Sequence, residues 1–292
     1  MQKIWEIFRG IGRFILAPFE FLTKYFKAFL LLLLAIALFA PSKEVQIESN
    51  LAEISLKGAI FSADYFLDEL KRIRELPNLK GVLLVVDSPG GALAPSVEIA
   101  EEMRRLKEEQ IPIVVYAQGT MASGSYYAGI WSDYIIANRG SLIGSIGVIF
   151  NGMDISELAE KLGIKPQIIK AGKYKESGTF MRAWNRDESE EITHLVQAQY
   201  DMFVRDVAQA RNLNLNASET YAQGRIFSAK EALDLGLIDA LGIRRDAQKK
   251  LIELSGVDEA VWFSKEPWEV YLERFVSESI STLSSLLASK IY

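Results

Sequence analysis

The sequence contains no cysteine and only one histidine, His194, and both features narrow the chemistry available to it. Without cysteine, disulfides, thiolate nucleophiles and cysteine-ligated zinc sites are excluded. One histidine leaves little for a transition-metal site, and its place in a long amphipathic helical pattern predicts a helix-surface or interface residue. A hydrolase built from this chain therefore needs a base other than imidazole, and a desolvated lysine is the main alternative.

Two short segments supply a serine and a lysine that fit this chemistry. Ser123 lies in Thr-Met-Ala-Ser-Gly-Ser-Tyr-Tyr, and Lys175 ends Gly-Lys-Tyr-Lys, 52 residues later. A short helix opening at Ser123 would place its hydroxyl at the positive end of the helix. A free lysine has a pKa near 10.4, so a base working near neutral pH needs that pKa lowered by about 2–3 units. Lys173 favours the neutral amine and Glu176 opposes it, and the sequence leaves the balance open.

Charge is unevenly distributed along the chain. The net charge is −5, yet residues 1–43 carry six Lys/Arg and two Glu, which leaves −9 for the remainder. An acidic body lacks the basic surface that nucleic acids require, so nucleic acid is not an expected partner. No cofactor and no metal are expected either.

The basic amino-terminal region predicts contact with membrane lipid. Residues 28–40 form 13 uninterrupted apolar residues between lysines, and residues 28–43 are interpreted as a single-pass anchor. A cleaved signal peptide is the alternative, with retention favoured because the preceding region is long and aromatic-rich. The basic flank places residues 1–27, an amphipathic interfacial helix, in the cytoplasm and the body outside the inner or plasma membrane.

The remainder of the chain alternates apolar strands with amphipathic helices, which predicts an α/β domain over residues 50–250. Residues 251–292 are interpreted as a helical extension. Strands are predicted at 51–56, 81–86, 112–117, 133–137, 146–150 and 166–170. Helices are predicted at 63–76, 95–109 and about 187–211, with capping boxes at Asp154/Glu157 and Asp187/Glu190.

Three loops rich in Gly and Ser follow predicted strands, where α/β folds bind ligands. They span 87–91, 119–125 and 140–147. The backbone N–H of Gly124, with that of Gly90 or Gly91, could form an oxyanion hole for an acyl intermediate at Ser123.

Five motifs occur in one order: Ser-Pro-Gly-Gly, Met-x-Ser-Gly-x-Tyr-Tyr, Gly-Ser-Ile-Gly-Val, Gly-x-Tyr-Lys and Gly-Arg-x-Phe-Ser-x-x-Glu-Ala-Leu-x-x-Gly-Leu-Ile-Asp. Over about residues 50–245 the chain resembles the signal peptide peptidase A family in its short, single-domain form. The resemblance implies a Clp-protease/crotonase-like α/β fold, a repeated β-β-α superhelix. It implies Ser123 as nucleophile, Lys175 as general base, Ser145 as the hydroxyl that holds the lysine amine, and Gly90, Gly91 and Gly124 in the oxyanion loops.

The same resemblance implies a homo-oligomer, a ring or dome such as an octamer, in which serine and lysine meet across a subunit boundary. Its implied substrates are apolar peptides, chiefly signal-peptide remnants left in the membrane after secretion. Ser125 departs from the family pattern, since it stands where a second glycine is usual. A position that requires positive φ or close substrate approach would be disturbed by this serine.

Three alternatives stay open from the sequence. A related membrane quality-control protease would share the chemistry and differ in substrate. A crotonase-like acyl-CoA enzyme would share the fold, but such enzymes use Glu or Asp for proton transfer and have no anchor. An inactive membrane scaffold is disfavoured because Ser123, Ser145 and Lys175 are all present.

Overall fold

The computed structural model describes residues 24–39 and 49–263, which fall into two compact units. The first contains one helix, α1 (Phe26–Phe39), whose side chains from Phe26 to Leu34 are exposed. Within the described residues, no helix combines the length and apolarity needed to cross a membrane. Residues 1–23 of the predicted interfacial segment (1–27) and residues 264–292 of the predicted carboxy-terminal extension (251–292) lie outside the described residues.

The second unit is built on a seven-stranded sheet. Its main path runs β1-β2-β3-β4-β7 with every pair parallel, while β5 pairs in parallel with β3 and antiparallel with β6. The strands are β1 (Leu51–Lys57), β2 (Gly81–Ser88), β3 (Ile113–Ala122), β4 (Tyr134–Ala137), β5 (Leu142–Gly144), β6 (Ile226–Ser228) and β7 (Ala240–Leu241).

Eight further α-helices connect and cover these strands in the described part of the second unit. They are α2 (Asp64–Arg74), α3 (Leu93–Glu108), α4 (Gly124–Gly129), α5 (Ser156–Lys161), α6 (Arg186–Ala210), α7 (Ser218–Tyr221), α8 (Ala229–Asp234) and α9 (Arg244–Ser255). The mixed α/β architecture agrees with the predicted fold class.

Both faces of the central strands are buried, which explains why their sequences are continuously apolar. In β2, Val82, Leu84 and Val86 join the core under α2 and α3. Leu83 and Val85 point to the opposite face and join a second core that includes Leu251 and Ala247 of α9. The predicted strands at 51–56, 81–86, 112–117 and 133–137 are confirmed as β1 to β4.

Two predicted strands are wrong. Residues 146–150 and 166–170 contain no strand, although each includes at least two adjacent apolar residues. Ile149 is 87% exposed and Ile168 50%, although Ile146 is buried. A strand prediction assumes that apolar residues are buried by the chain's own sheet, and here they lie on its surface.

Both predicted capping boxes are also wrong in position. Helix α6 begins after Asn185, whose side chain accepts from the Glu188 N–H at 2.9 Å while Glu188 caps in return, two residues before the predicted pair. At α5 the Asp154 carboxylate accepts from the Ser156 N–H at 2.9 Å, a local turn contact without a capping box. Several Asp, Asn and Glu residues near a helix start could each act as the N-cap, and tertiary packing decides which of them does.

Candidate active site

Ser123 lies between the end of β3 and the first residue of α4, in a backbone conformation that L-residues rarely adopt (φ +53°, ψ −125°). Its N–H donates to the Gly144 carbonyl at 2.7 Å, which ties the turn to the end of β5. Strained non-glycine residues of this kind persist where the surrounding structure imposes them, and they cluster at functional sites. The predicted short helix opening at Ser123 is confirmed.

Helix α4 is fixed beneath Ser123 by two buried tyrosines. The Tyr126 hydroxyl donates to the Leu237 carbonyl at 2.8 Å, and the Tyr127 hydroxyl contacts the Asp206 carboxylate of α6. Burial raises the pKa of both hydroxyls, and for Tyr127 the Asp206 hydrogen bond raises it further. The two tyrosines of the motif therefore anchor the turn.

Ser145 and Ser123 line the same cavity. Ser145 too has a positive φ (+50°), and its N–H donates to the Arg225 carbonyl at 2.7 Å. The pairing of Ala122 with Gly144 brings the two serine turns side by side. The cavity has a volume of about 730 Å³ and is lined by Gly91, Ala92, Leu93, Ser123, Gly124, Ser145, Ile149, Val196, Tyr200 and Phe203, among others.

The backbone N–H groups of Gly91 and Gly124 lie close together next to Ser123. A Cβ built on Gly124 would lie 3.3 Å from the Gly91 nitrogen. Neither N–H donates to an acceptor among the described residues, whereas the Gly90 N–H donates to the Ser88 hydroxyl at 3.1 Å. Of the two glycines proposed from sequence, Gly91 is therefore the one with an available donor.

Glycine is required at positions 90 and 91 for steric reasons. Gly90 has a φ of +89°, and a Cβ there would lie 2.6 Å from both the Ala122 carbonyl oxygen and the Gly124 nitrogen. A Cβ on Gly91 would lie 2.1 Å from the Ile60 carbonyl oxygen, because this loop bridges to Ile60. The loop is thus pressed against both Ile60 and the serine turn.

Ser88 and Ser125 are residues whose roles the sequence analysis missed. Ser125 is fully buried in α4; its hydroxyl donates to the Ser88 carbonyl at 2.6 Å and accepts from the Ala122 N–H at 2.9 Å. Its φ is not positive and its side chain faces the protein interior, so this serine does not disturb the groove. Burial and pairing of small serines leave no signature in a single sequence.

Lys175 is not brought to Ser123 within one copy of the chain. It lies in an exposed turn after Gly172, with its N–H donating to the Gly172 carbonyl at 3.3 Å, and it does not line the cavity that holds Ser123 and Ser145. His194 is exposed on α6, as the sequence predicts.

Neighbouring charges around Lys175 are engaged with one another. Glu176 pairs with Lys170 and Arg182, each at 2.9 Å, and these partners lower its carboxyl pKa. Lys173 pairs with Asp187 at 2.5 Å, which raises the pKa of its amine. Lys175 itself pairs with no carboxylate among the described residues.

Comparison with known proteins identifies the family. The model of peptidase family S49 matches residues 105–258, more than half of the chain and including Ser123, Ser145 and Lys175. The chain belongs to peptidase family S49. This agrees with the resemblance to signal peptide peptidase A, and the S49 match spans the serine turn and α6 alike.

Individual relatives in family S49 support the assignment. A Synechocystis protein named as a protease is 37% identical over 72% of this chain and 76% of its own length. A Methanocaldococcus jannaschii protein named as a protease is 40% identical over 67% of this chain. An Enterococcus faecium protein named as signal peptide peptidase SppA is 40% identical over 66%. The chain spans only 62% and 58% of the last two.

Proposed function

We propose that the chain is a serine endopeptidase in which Ser123 is the nucleophile and Lys175 the general base. The observation that carries this proposal is the position of Ser123. It is held in a strained turn that lines a cavity, beside the free N–H groups of Gly91 and Gly124. Membership of peptidase family S49 supports the same reaction class.

The proposed reaction has two stages. Ser123 Oγ attacks the peptide carbonyl while the neutral Lys175 amine takes its proton, and the N–H groups of Gly91 and Gly124 stabilise the oxyanion. The C–N bond breaks as the lysine ammonium returns the proton to the leaving amine. Water, deprotonated by the same lysine, then attacks the acyl-serine carbonyl, the ester C–O bond breaks to release the acid product, and the lysine ammonium returns its proton to Ser123 Oγ. Ser145 would accept a hydrogen bond from the amine and hold it in place.

Lys175 would reach this site from a second copy of the chain. It is exposed and does not line the cavity of its own copy, and the surrounding segment carries unusually many exposed apolar side chains. These are Ile149, Phe150, Met153, Leu158, Leu162, Ile164, Ile168, Ile169, Tyr174 and Phe180. Apolar patches of this kind mark interfaces, so a ring or dome homo-oligomer such as an octamer would cover them. We include in the same proposal that the peptidase domain is a repeated β-β-α superhelix.

Apolar peptides are the proposed substrates. The cavity beside Ser123 is lined partly by Leu93, Val148, Ile149, Val196 and Phe203, which favour an extended apolar chain. The E. faecium relative is named as a signal peptide peptidase, and signal-peptide remnants would fit this lining. A single-pass anchor at 28–43, with the peptidase domain outside the membrane, would present the site to such remnants.

The test is cleavage of unstructured apolar peptides by the detergent-solubilised full chain. Ser123→Ala and Lys175→Ala are each expected to abolish cleavage, while Lys165→Ala, on the same exposed segment, keeps it. Ser145→Ala is expected to lower it. Full activity of Lys175→Ala would contradict the lysine base, and absence of cleavage by the unaltered chain would favour the scaffold alternative.

A further inference from the structure

Glu176 directly follows Lys175, the proposed base, so its carboxylate is the one most able to keep the lysine amine protonated. A negative charge next to Lys175 would favour the protonated amine and remove the base. In the structure this carboxylate is largely buried, with 14% of its side chain exposed, and is shared by Lys170 and Arg182 at 2.9 Å each.

Arg182 also fixes this arrangement to the start of α6. Its guanidinium makes two hydrogen bonds to Glu188, Nη1 to Oε2 at 2.8 Å and Nη2 to Oε1 at 2.7 Å. The Glu188 side chain is 1% exposed and caps α6 together with Asn185. A planar, bidentate pair of this kind fixes orientation as well as charge.

The charged groups around Lys175 balance one another. The positive charges are those of Lys170, Lys173 and Arg182. The negative charges are those of Glu176 and, in the first turn of α6, Asp187 and Glu188. Three positive and three negative charges are all paired, and Tyr174 lies against the Lys173 amine. The neighbouring charges are therefore engaged with one another and sum to zero.

We infer that Arg182 and Lys170 are positioning residues for Lys175: they hold the Glu176 carboxylate in a neutral cluster and leave the lysine amine without an anionic partner. The inference rests on the proposed role of Lys175 as the base. It explains how a lysine can serve as base directly before a glutamate. It also predicts that altering one charge of the cluster shifts the titration of the base in a direction set by the sign of that charge.

The test is the pH profile of kcat/KM for an apolar peptide, measured on the full-length chain in detergent. Activity rises with pH as Lys175 loses its proton. Arg182→Met and Lys170→Met each leave the cluster at −1 and should move that rise to higher pH by about half a unit, as expected for one charge near a protein surface. Glu176→Gln leaves it at +1 and should move the rise to lower pH by a similar amount.

The double variant Arg182→Met/Glu176→Gln is the matched control, because it restores a net charge of zero. Its profile should return to within about 0.2 units of the parent if the two charges act on the same group. A merely structural role for these residues would lower kcat without opposite shifts. Lys170→Met leaves the Arg182–Glu188 contact intact, so it serves if Arg182→Met does not fold.

The outcomes separate the inference about the charge cluster from the proposed Ser123–Lys175 dyad. Shifts of opposite sign that cancel in the double variant support the inference. Unchanged profiles, or shifts of the same sign for Glu176→Gln and Lys170→Met, overturn it while leaving the dyad in place, provided that Lys175→Ala is inactive. An active Lys175→Ala variant overturns the dyad itself.

Discussion

At the scale of single residues, the site depends on close backbone approaches that only glycine permits. Gly91 faces Ile60 on one side and supplies the available N–H next to Ser123 on the other. A side chain at this position would move the loop, because the obstructing atoms belong to the backbone of a neighbouring segment. The position of the proposed oxyanion donor is thus set by packing of the loop against Ile60.

Gly91→Ala is expected to lower kcat by about 100-fold or more, the usual loss when one oxyanion donor is removed. Gly140→Ala is the control, because a Cβ there would meet its nearest atom at 3.5 Å. Both variants would be compared by peptide cleavage and by thermal unfolding. Full activity of Gly91→Ala would contradict the assigned donor.

Ser125→Ala is expected to destabilise the fold by about 1–3 kcal/mol, because the buried Ser88 carbonyl and Ala122 N–H both lose a partner. Ser132→Ala is the matched control: its hydroxyl donates only to the Gly129 carbonyl, which keeps its bond from the Ser132 N–H. Urea unfolding would measure both. Equal midpoints for Ser125→Ala and Ser132→Ala would show that the Ser125 contacts add nothing.

The residues of the candidate site could be predicted from the sequence only in part. Ser123, Ser145 and the glycine loops were predicted, and the structure places them around one cavity. The choice between Gly90 and Gly91 could not be predicted, because it depends on which N–H the Ser88 hydroxyl occupies. The engagement of Glu176 by Arg182 could not be predicted either, since residues six apart in an irregular segment meet only through tertiary packing.

At the scale of elements, the start of α6 joins the fold to the segment that carries Lys175. Asn185 and Glu188 form its capping box, and Arg182 pairs with Glu188. The Arg182 hydrogen bonds, followed by the backbone contact to Asn185, lower the pKa of Glu188 from 4.5 to about 2. The folded state therefore favours the ionised carboxylate.

This pKa shift predicts a pH dependence of stability. A carboxyl whose pKa is lower in the folded state stabilises it fully above pH 4.5, and that contribution is lost as the pH falls towards 2. The difference in urea midpoint between the unaltered chain and Glu188→Gln should thus be largest at pH 5 and above and shrink towards pH 2. Glu190→Gln, in an exposed pair with Arg186, should change little at any pH. A pH-independent difference for Glu188→Gln would contradict the assignment.

Strands that are buried on both faces could be predicted from the sequence, whereas exposed segments and very short strands could not. The runs in β2 and β3 are apolar because α2, α3 and α9 cover both sides. Residues 146–150 and 166–170 also contain apolar residues, but Ile149, Phe150, Ile168 and Ile169 are exposed, so the same signal had another cause. The strands β5, β6 and β7 are two or three residues long and pair with partners distant in sequence, which periodicity cannot detect.

At the scale of the whole molecule, one copy of the chain does not place Lys175 among the residues that line the cavity with Ser123. Ser123, Ser145, Gly91 and Gly124 line one cavity, while Lys175 lies on a segment rich in exposed apolar side chains. Under the proposed function, assembly of several copies would bring Lys175 to the cavity of a neighbouring copy and would cover the exposed apolar side chains. Covering this segment would also desolvate the lysine. A desolvated amine loses its proton more readily, which is what the base requires.

Mixing two inactive variants tests this account most directly. Ser123→Ala and Lys175→Ala each retain what the other lacks, and co-assembly of equal amounts should restore about a quarter of the parental activity if each site combines two neighbouring copies in a closed ring. The parental chain, refolded in parallel, provides the reference. Recovery of cleavage in the mixture, with none in either variant alone, is the predicted result. No recovery in mixed assemblies shown to contain both variants would contradict a Ser123–Lys175 site formed between copies.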